Sequence, residues 1–157
     1  MTNGRLVVDA SILAKAYLKD EAFSEVARAI LRDYALGTVE LFAPQFLLYE
    51  IPSAIQGAVR RRRLDADEAE QAIAHFFALG IPTVGDPDTL ESMITSAYQV
   101  GEQLGCRLYD ALYLIVAVGL GAPFVTADRK LFDTIEGRLE NVVWIEDYAQ
   151  RVSEASP

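Results

Sequence analysis

Short apolar runs of strand length alternate along this chain with longer stretches of helical periodicity, and that alternation leaves few architectures open. Arg5 to Val8, Val39 to Phe42, Ile81 to Val84, Phe124 to Thr126 and Val142 to Ile145 carry the strand pattern, weakly in the case of Ile81 to Val84. Helices are predicted over Ser11 to Leu18, Ala22 to Leu36 (stopped by Gly37), Pro44 to about Arg62, and from Asp65 to Gly80. Others follow over Asp86 to Leu104, Tyr109 to Val118 (closed by Gly119 and Gly121) and Lys130 to Ile135, with a terminal helix after the last strand. Asp65 with Glu68 makes a capping box. Pro52 falls inside its helix and is expected to kink it or shift its start. Strands separated by helices imply right-handed crossovers and a parallel sheet of four to five strands covered on both faces.

The 157 residues suit one domain, residues 1–152, followed by a frayed tail from Ser153 to Pro157. A hydrophobic content of 52% excludes a disordered chain. The longest apolar run, Ala111 to Leu120, is of buried-helix length and far short of the ~18 residues of a membrane span. The first residues lead directly into a strand, so no secretory leader is expected, and the single cysteine, Cys106, cannot form an intrachain disulfide. A cytoplasmic protein without a membrane association is expected. The net charge of −9 argues against nucleic-acid binding by broad backbone electrostatics. Any such role needs a local basic patch or bound cations.

Four acids stand where a charge is costly. Two strand runs end in aspartate, at Asp9 and Asp128, and in a parallel sheet ligands bind at the carboxyl ends of the strands. Glu50 and Asp110 lie in strongly apolar helical stretches. Each alone has a bland explanation: Asp9, Asp110 and Asp128 suit helix N-caps. Four together, with both strand-end aspartates on one sheet edge, point to a carboxylate cluster that repels itself unless a cation intervenes. Hard divalent ions take such oxygen ligands. That expectation fails if the oxygens are dispersed, or if each is spent as a cap or in a salt bridge.

The stretches Val7-Val8-Asp9-Ala10-Ser11-Ile12-Leu13, Leu47-Leu48-Tyr49-Glu50, Tyr109-Asp110-Ala111-Leu112-Tyr113-Leu114 and Val125-Thr126-Ala127-Asp128-Arg129-Lys130-Leu131 resemble the PIN-domain ribonucleases. Within them the chain is most similar to the small VapC-like toxins of type II toxin–antitoxin pairs. The resemblance implies a three-layer α/β/α sandwich in which Asp9, Glu50, Asp110 and Asp128 gather around one or two Mg²⁺ or Mn²⁺ ions. It implies RNA phosphodiester hydrolysis leaving a 5′-phosphate and a 3′-hydroxyl, a small antitoxin partner, and a homodimer. Asp9, Asp110 and Asp128 would be the principal ligands, and Glu50 a ligand or the base for the attacking water. Ser11 and Thr126 match polar positions beside the cluster. Family members often carry Asn three residues after the helical Glu; here Ser53 stands there, preceded by Pro52.

Among the remaining residues, Arg60, Arg61, Arg62 and Arg63 form the one dense basic run, open to three readings: a solvated helix end, an RNA contact, or a dock for an acidic partner segment. Arg129, Lys130 and Lys15 divide between phosphate positioning and ordinary surface roles. Tyr109 and Tyr113 suit core packing, with base stacking as the alternative. His75 has no Cys or His companion and zinc is not expected. A catalytically silent PIN-like module for RNA or protein binding is the alternative from another class. A receiver- or dehalogenase-type phosphoryl-transfer protein fits less well, because Asp9-Ala10-Ser11 lacks the second aspartate of a dehalogenase-type phosphatase.

Overall fold

The computed structural model describes residues 4–154. Five strands, β1 (Gly4–Val8), β2 (Val39–Pro44), β3 (Thr83–Val84), β4 (Phe124–Thr126) and β5 (Val142–Trp144), form one all-parallel sheet in the order β3-β2-β1-β4-β5. Helices cover it on both faces, so the predicted α/β/α sandwich is the observed one. The helices are α1 (Ala10–Tyr17), α2 (Ser24–Ala35), α3 (Leu47–Arg60), α4 (Ala66–Ala78), α5 (Leu90–Leu104), α6 (Leu108–Leu120), α7 (Arg129–Ile135) and α8 (Ile145–Glu154).

The strands are short, with buried apolar residues at the centre of the sheet, where Val7, Val8, Leu41 and Val125 are wholly inaccessible, and a half-buried edge strand β3. On one side α6 packs across β1, β2 and β4, with α5 against it. Elsewhere α1 packs on α2 and α3, and α8 on α2, β4 and β5. One continuous core spans the sheet, from Leu6 through Ile30 and Ile55 to Ile145.

Chain order runs outward from β1 to β2 and β3, then returns to β4 on its other side. The order therefore reverses between β1 and β4, which pair through Val7–Phe124 and Val8–Val125. That reversal opens a crevice beyond the carboxyl ends of these two strands. In parallel β/α architecture the helices that follow strands begin at this same edge.

Several boundaries differ from expectation. Pro44 does not open a helix; it is the last residue of β2, where a missing backbone N–H is tolerated on a short terminal position. The helix starts at Leu47, after a turn in which Leu48 and Tyr49 bond back to Gln45 and Phe46. Pro52 lies inside α3, which continues through it. Asp86 does not start α5 either: its carboxylate accepts from the N–H groups of Asp88 and Thr89 at 3.0 Å each, making a turn, and the helix begins at Leu90. Gly119 lies within α6, and only Gly121, at φ +59°, ends it. The capping box of Asp65 and Glu68 is present, with both reciprocal bonds. Helix α8 reaches Glu154, and Ala155 to Pro157 of the expected tail lie outside the described residues.

Candidate functional site

Four helix N-termini meet at the crevice, and each brings an acid. Asp9 is the N-cap of α1 and Asp128 that of α7; Glu50 and Asp110 sit in the first turns of α3 and α6. The positive ends of the helix dipoles partly offset the assembled negative charge. The two caps arise directly from the fold: β1 passes to α1 through Asp9 alone and β4 to α7 through Ala127 and Asp128, and in both the extended aspartate's carboxylate takes up an unpaired helical N–H.

Asp9 is buried, at 6% exposure. Its Oδ1 accepts from the Ser11 hydroxyl and from Ile12 N, and its Oδ2 accepts from the Thr126 hydroxyl, reaching across from β4. Thr126 Oγ1 in turn accepts from the Asp128 N–H at 3.0 Å, and Ser11 Oγ from the Ala127 N–H at 3.1 Å. Two hydroxyls thus tie β1, α1 and the end of β4 into one polar network. Burial pushes the Asp9 carboxyl up to about 6, against hydrogen bonds that lower it, with Asp128 adding repulsion. Glu50 accepts through Oε2 from the Tyr113 hydroxyl on α6. Partial burial raises its carboxyl to about 7; the Tyr113 bond opposes this, and repulsion from Asp9 and Asp110 adds to it.

Asp110 carries a different partner. Arg107 donates to it through both arms, Nε to Oδ2 at 2.9 Å and a terminal nitrogen to Oδ1 at 3.1 Å. The same terminal nitrogen stands 3.9 Å from Asp128 Oδ2. Asp128 also caps α7 through Oδ1 and Leu131 N at 3.0 Å. Every one of the four acids therefore already has a protein partner. Among the described residues, no three His, Cys, Asp or Glu side chains stand in an arrangement that holds a metal ion as placed. The expectation is met only in part. Asp9, Glu50, Asp110 and Asp128 act on one another electrostatically, but Asp110 and Asp128 line one cleft and Glu50 another. Asp9 and Asp128 are spent as N-caps, Asp110 is spent in an ion pair with Arg107, and of the four acids Glu50 is neither a cap nor in a salt bridge.

The chemistry of the donor set still fits a hard divalent cation. Four carboxylates and two hydroxyls, with no histidine or thiolate among them, are oxygen donors of the kind Mg²⁺ and Mn²⁺ take. Two clefts flank the acids. One, of about 400 Å³, runs along Arg107, Asp110, Asp128 and Lys130. The other, of about 540 Å³, runs along Ser11, Tyr49, Glu50, Ser53, Arg61 and Tyr109. Tyr109 is half exposed and stacks flat on Phe46, centroids 4.1 Å apart. Tyr113 is core, at 2% exposure.

The basic residues separate. Arg61 and Lys130 line the clefts. Arg63 is held by both oxygens of Asp20 and by Glu21, at 2.8 to 3.0 Å. Lys15 pairs with Glu21 at 3.2 Å. Arg129 lies over the Trp144 ring, 3.8 Å from its centroid, and faces Asp133. Arg60 and Arg62 are exposed around the end of α3, Arg62 with φ +57°.

Two residues of the crevice were not singled out for these roles by the sequence reading: Arg107 and the Tyr113 hydroxyl. An arginine three residues before a helix-opening aspartate is the signal for the first. For the second it is a tyrosine one turn beyond that aspartate, in an apolar run where its hydroxyl needs a partner.

Comparison with known proteins agrees with this geometry. The PIN domain family matches residues 6–137. Ribonuclease VapC3 of Pyrobaculum aerophilum is 30% identical over 131 residues, covering 81% of this chain and 92% of that protein. The crystal structure of PAE2754 from the same organism superposes with a TM-score of 0.67 at 20% identity, covering 96% of this chain and 98% of the other. At that identity the superposition speaks for the fold. The chain belongs to the PIN-domain family and is VapC-like within it.

Proposed function

We propose that this protein is a divalent-metal-dependent endoribonuclease, the toxin of a toxin–antitoxin pair, using Asp9, Glu50, Asp110 and Asp128 with Mg²⁺ or Mn²⁺. The observation that carries the reading is the meeting of four helix N-termini, each bearing a carboxylate, at the reversal point of the sheet. Kinship with a protein named a ribonuclease supports it. Asp9, Asp110 and Asp128 are the ligands in this reading. Bound there, the ion supplies a counter-charge for the phosphodiester, a water of lowered pKa and stabilisation of the leaving alkoxide.

The remaining work falls to the chain. Ser11 and Thr126 fix both oxygens of Asp9, so the ligand is oriented before the ion arrives. Glu50 suits a base that takes a proton from the attacking water: without metal, burial raises its carboxyl to about 7, and the charge of a bound ion would draw it down and favour the ionised form. Tyr113 holds one Glu50 oxygen and so fixes the carboxyl plane. The clefts on either side give an extended strand room to pass. The Phe46–Tyr109 stack at one lip offers a face for an unpaired base, favouring single-stranded or loop RNA. Arg61 and Lys130 are the cleft-lining cations available to backbone phosphates.

The antitoxin and a second copy of the chain are the proposed partners, in the cytoplasm. The exposed apolar residues Leu90, Ile94 and Tyr98, one turn apart along α5, support a docking face for the second copy. The test is end-mapped cleavage of total cellular RNA with Mn²⁺ by wild type and Asp9→Asn. Discrete new 5′ ends that vanish in the variant and with chelator are expected. Expression should arrest growth, with rescue by a neighbouring small gene product. The engagement of all four acids by protein partners favours a second reading, a silent PIN-like binding module. Identical RNA profiles for wild type and Asp9→Asn establish that one.

A further inference from the structure

The turn between α5 and α6 is built to put an arginine at the mouth of the acid crevice. Helix α5 ends at Gly105, φ +77°, whose N–H bonds to Gly101 O at 2.8 Å; the Cys106 N–H bonds to the same oxygen at 3.1 Å. Gly101 is buried, and a Cβ there would meet Cys106 O at 3.0 Å, so the turn needs glycine at both places. Arg107 then takes an extended conformation, φ −71° and ψ 154°, before α6 begins. Its side chain makes no N-cap bond, so the helix start does not depend on the guanidinium.

That guanidinium instead forks onto Asp110 and lies 3.9 Å from Asp128. Among the described residues, the ion pairs made by the four crevice acids all come from Arg107. Other cations are engaged elsewhere, Arg63 with Asp20 and Glu21, Lys15 with Glu21 and Arg129 on Trp144, while Lys130 lines the same cleft without an ion pair to Asp110 or Asp128. The pairing is asymmetric in exposure. Arg107 is 73% exposed while Asp110 is 17% exposed, so the cation sits on the solvent side and closes over the acid. An arginine stays charged at any pH the protein meets. With the guanidinium largely in solvent, the pair is screened on its outer side, and a cation can compete for the acid.

We propose that Arg107 is a latch: a counter-ion supplied by the chain itself, which clamps Asp110 to Asp128 and which a divalent cation must displace to use those carboxylates. The guanidinium and the ion compete for the same oxygens, so the latch sets a threshold for metal loading. Once displaced, the fork remains at the rim of the same cleft. Under the nuclease reading, on which this second step alone rests, it takes a non-bridging phosphate oxygen of the RNA, an acceptor whose geometry it matches as well as a carboxylate.

The test is a Mn²⁺ titration, read as free Mn²⁺ by electron paramagnetic resonance, on wild type, Arg107→Gln and Arg107→Lys, with melting in chelator to verify folding. Glutamine removes the charge; lysine keeps it but cannot fork. Because an exposed pair resists displacement only weakly, both variants are expected to bind Mn²⁺ about two- to fivefold more tightly than wild type. A merely structural arginine would leave affinity unchanged or lower it. RNA kinetics supply the second readout: KM rises several-fold for Arg107→Gln and less for Arg107→Lys, which keeps the charge without the fork. Mn²⁺ affinity unchanged or weakened in both variants overturns the latch, whatever the RNA assay gives. Tightened Mn²⁺ binding beside a wild type that cleaves no RNA upholds the latch and overturns the nuclease reading instead.

Discussion

Asp9 is the residue around which the crevice is organised, and its cost is measurable. Its carboxyl, ordinarily near 3.8, is raised by burial to about 6, and that of Glu50 from 4.5 to about 7. A carboxyl whose pKa is higher in the folded state binds protons more tightly folded than unfolded. Its contribution is therefore greatest below the unfolded value and declines as pH rises to the folded one. The decline spans pH 3.8 to about 6 for Asp9 and 4.5 to about 7 for Glu50. At ~1.4 kcal/mol per unit, Asp9 forfeits on the order of 3 kcal/mol; Glu50, partly open to solvent, forfeits less after screening. Melting in chelator should thus fall by several degrees between pH 5 and 8 through these two groups. Saturating Mn²⁺ should flatten or reverse the trend. A chelated protein equally stable at both ends would contradict the burial account. Thr126 offers a second check. Its buried hydroxyl serves both Asp9 and the Asp128 backbone, so Thr126→Val should weaken Mn²⁺ binding about 10- to 100-fold with little change in volume. Calorimetric titration reads this directly.

At the level of elements, the sequence was legible wherever a local signal and the tertiary fold agreed. The two strand-end aspartates carried their own position, because a strand that ends in Asp and resumes as a helix leaves that residue little choice but the N-cap. The capping box at Asp65 was legible for the same reason, and it gives a clean control. Asp65→Ala should cost about 1 kcal/mol, or a few degrees of melting temperature, with RNA cleavage unchanged. Misreadings arose where one residue carries two opposed meanings. Pro44 suits a first helical turn as well as a strand end, and only pairing with β3 decides it. Asp86-Pro87 suits a helix start or a turn, and the Asx bonds to Asp88 and Thr89 take the turn. Arg107 carries a local signal in its spacing to Asp110, but its approach to Asp128 was illegible, because Asp128 lies in another element, brought near only when β4 pairs beside β1.

Over the whole molecule, the charge of −9 and the proposed RNA substrate are reconciled by locality. Many basic side chains are spent on intramolecular partners, Arg63, Lys15, Arg129 and Arg28 among them, leaving few for backbone phosphates. RNA should therefore bind with a shallow salt dependence, a log–log slope smaller in magnitude than about 3, corresponding to about four phosphates or fewer on a single strand. Chelator should abolish binding, since without added cations the crevice repels the phosphate. A steep slope that persists in chelator would mean that a basic surface, and not the crevice, holds the RNA.

On the proposed reading, the four acids hold a cation and Arg107 yields to it. The most direct measurement is the anomalous scattering of a crystal soaked in Mn²⁺. The prediction is a strong peak in the crevice within ~2.6 Å of Asp9 and of Asp110 or Asp128 carboxylate oxygens, with the Arg107 fork withdrawn from Asp110. A crevice without a peak at saturating Mn²⁺, with Arg107 still bonded to Asp110 through both arms, would contradict it.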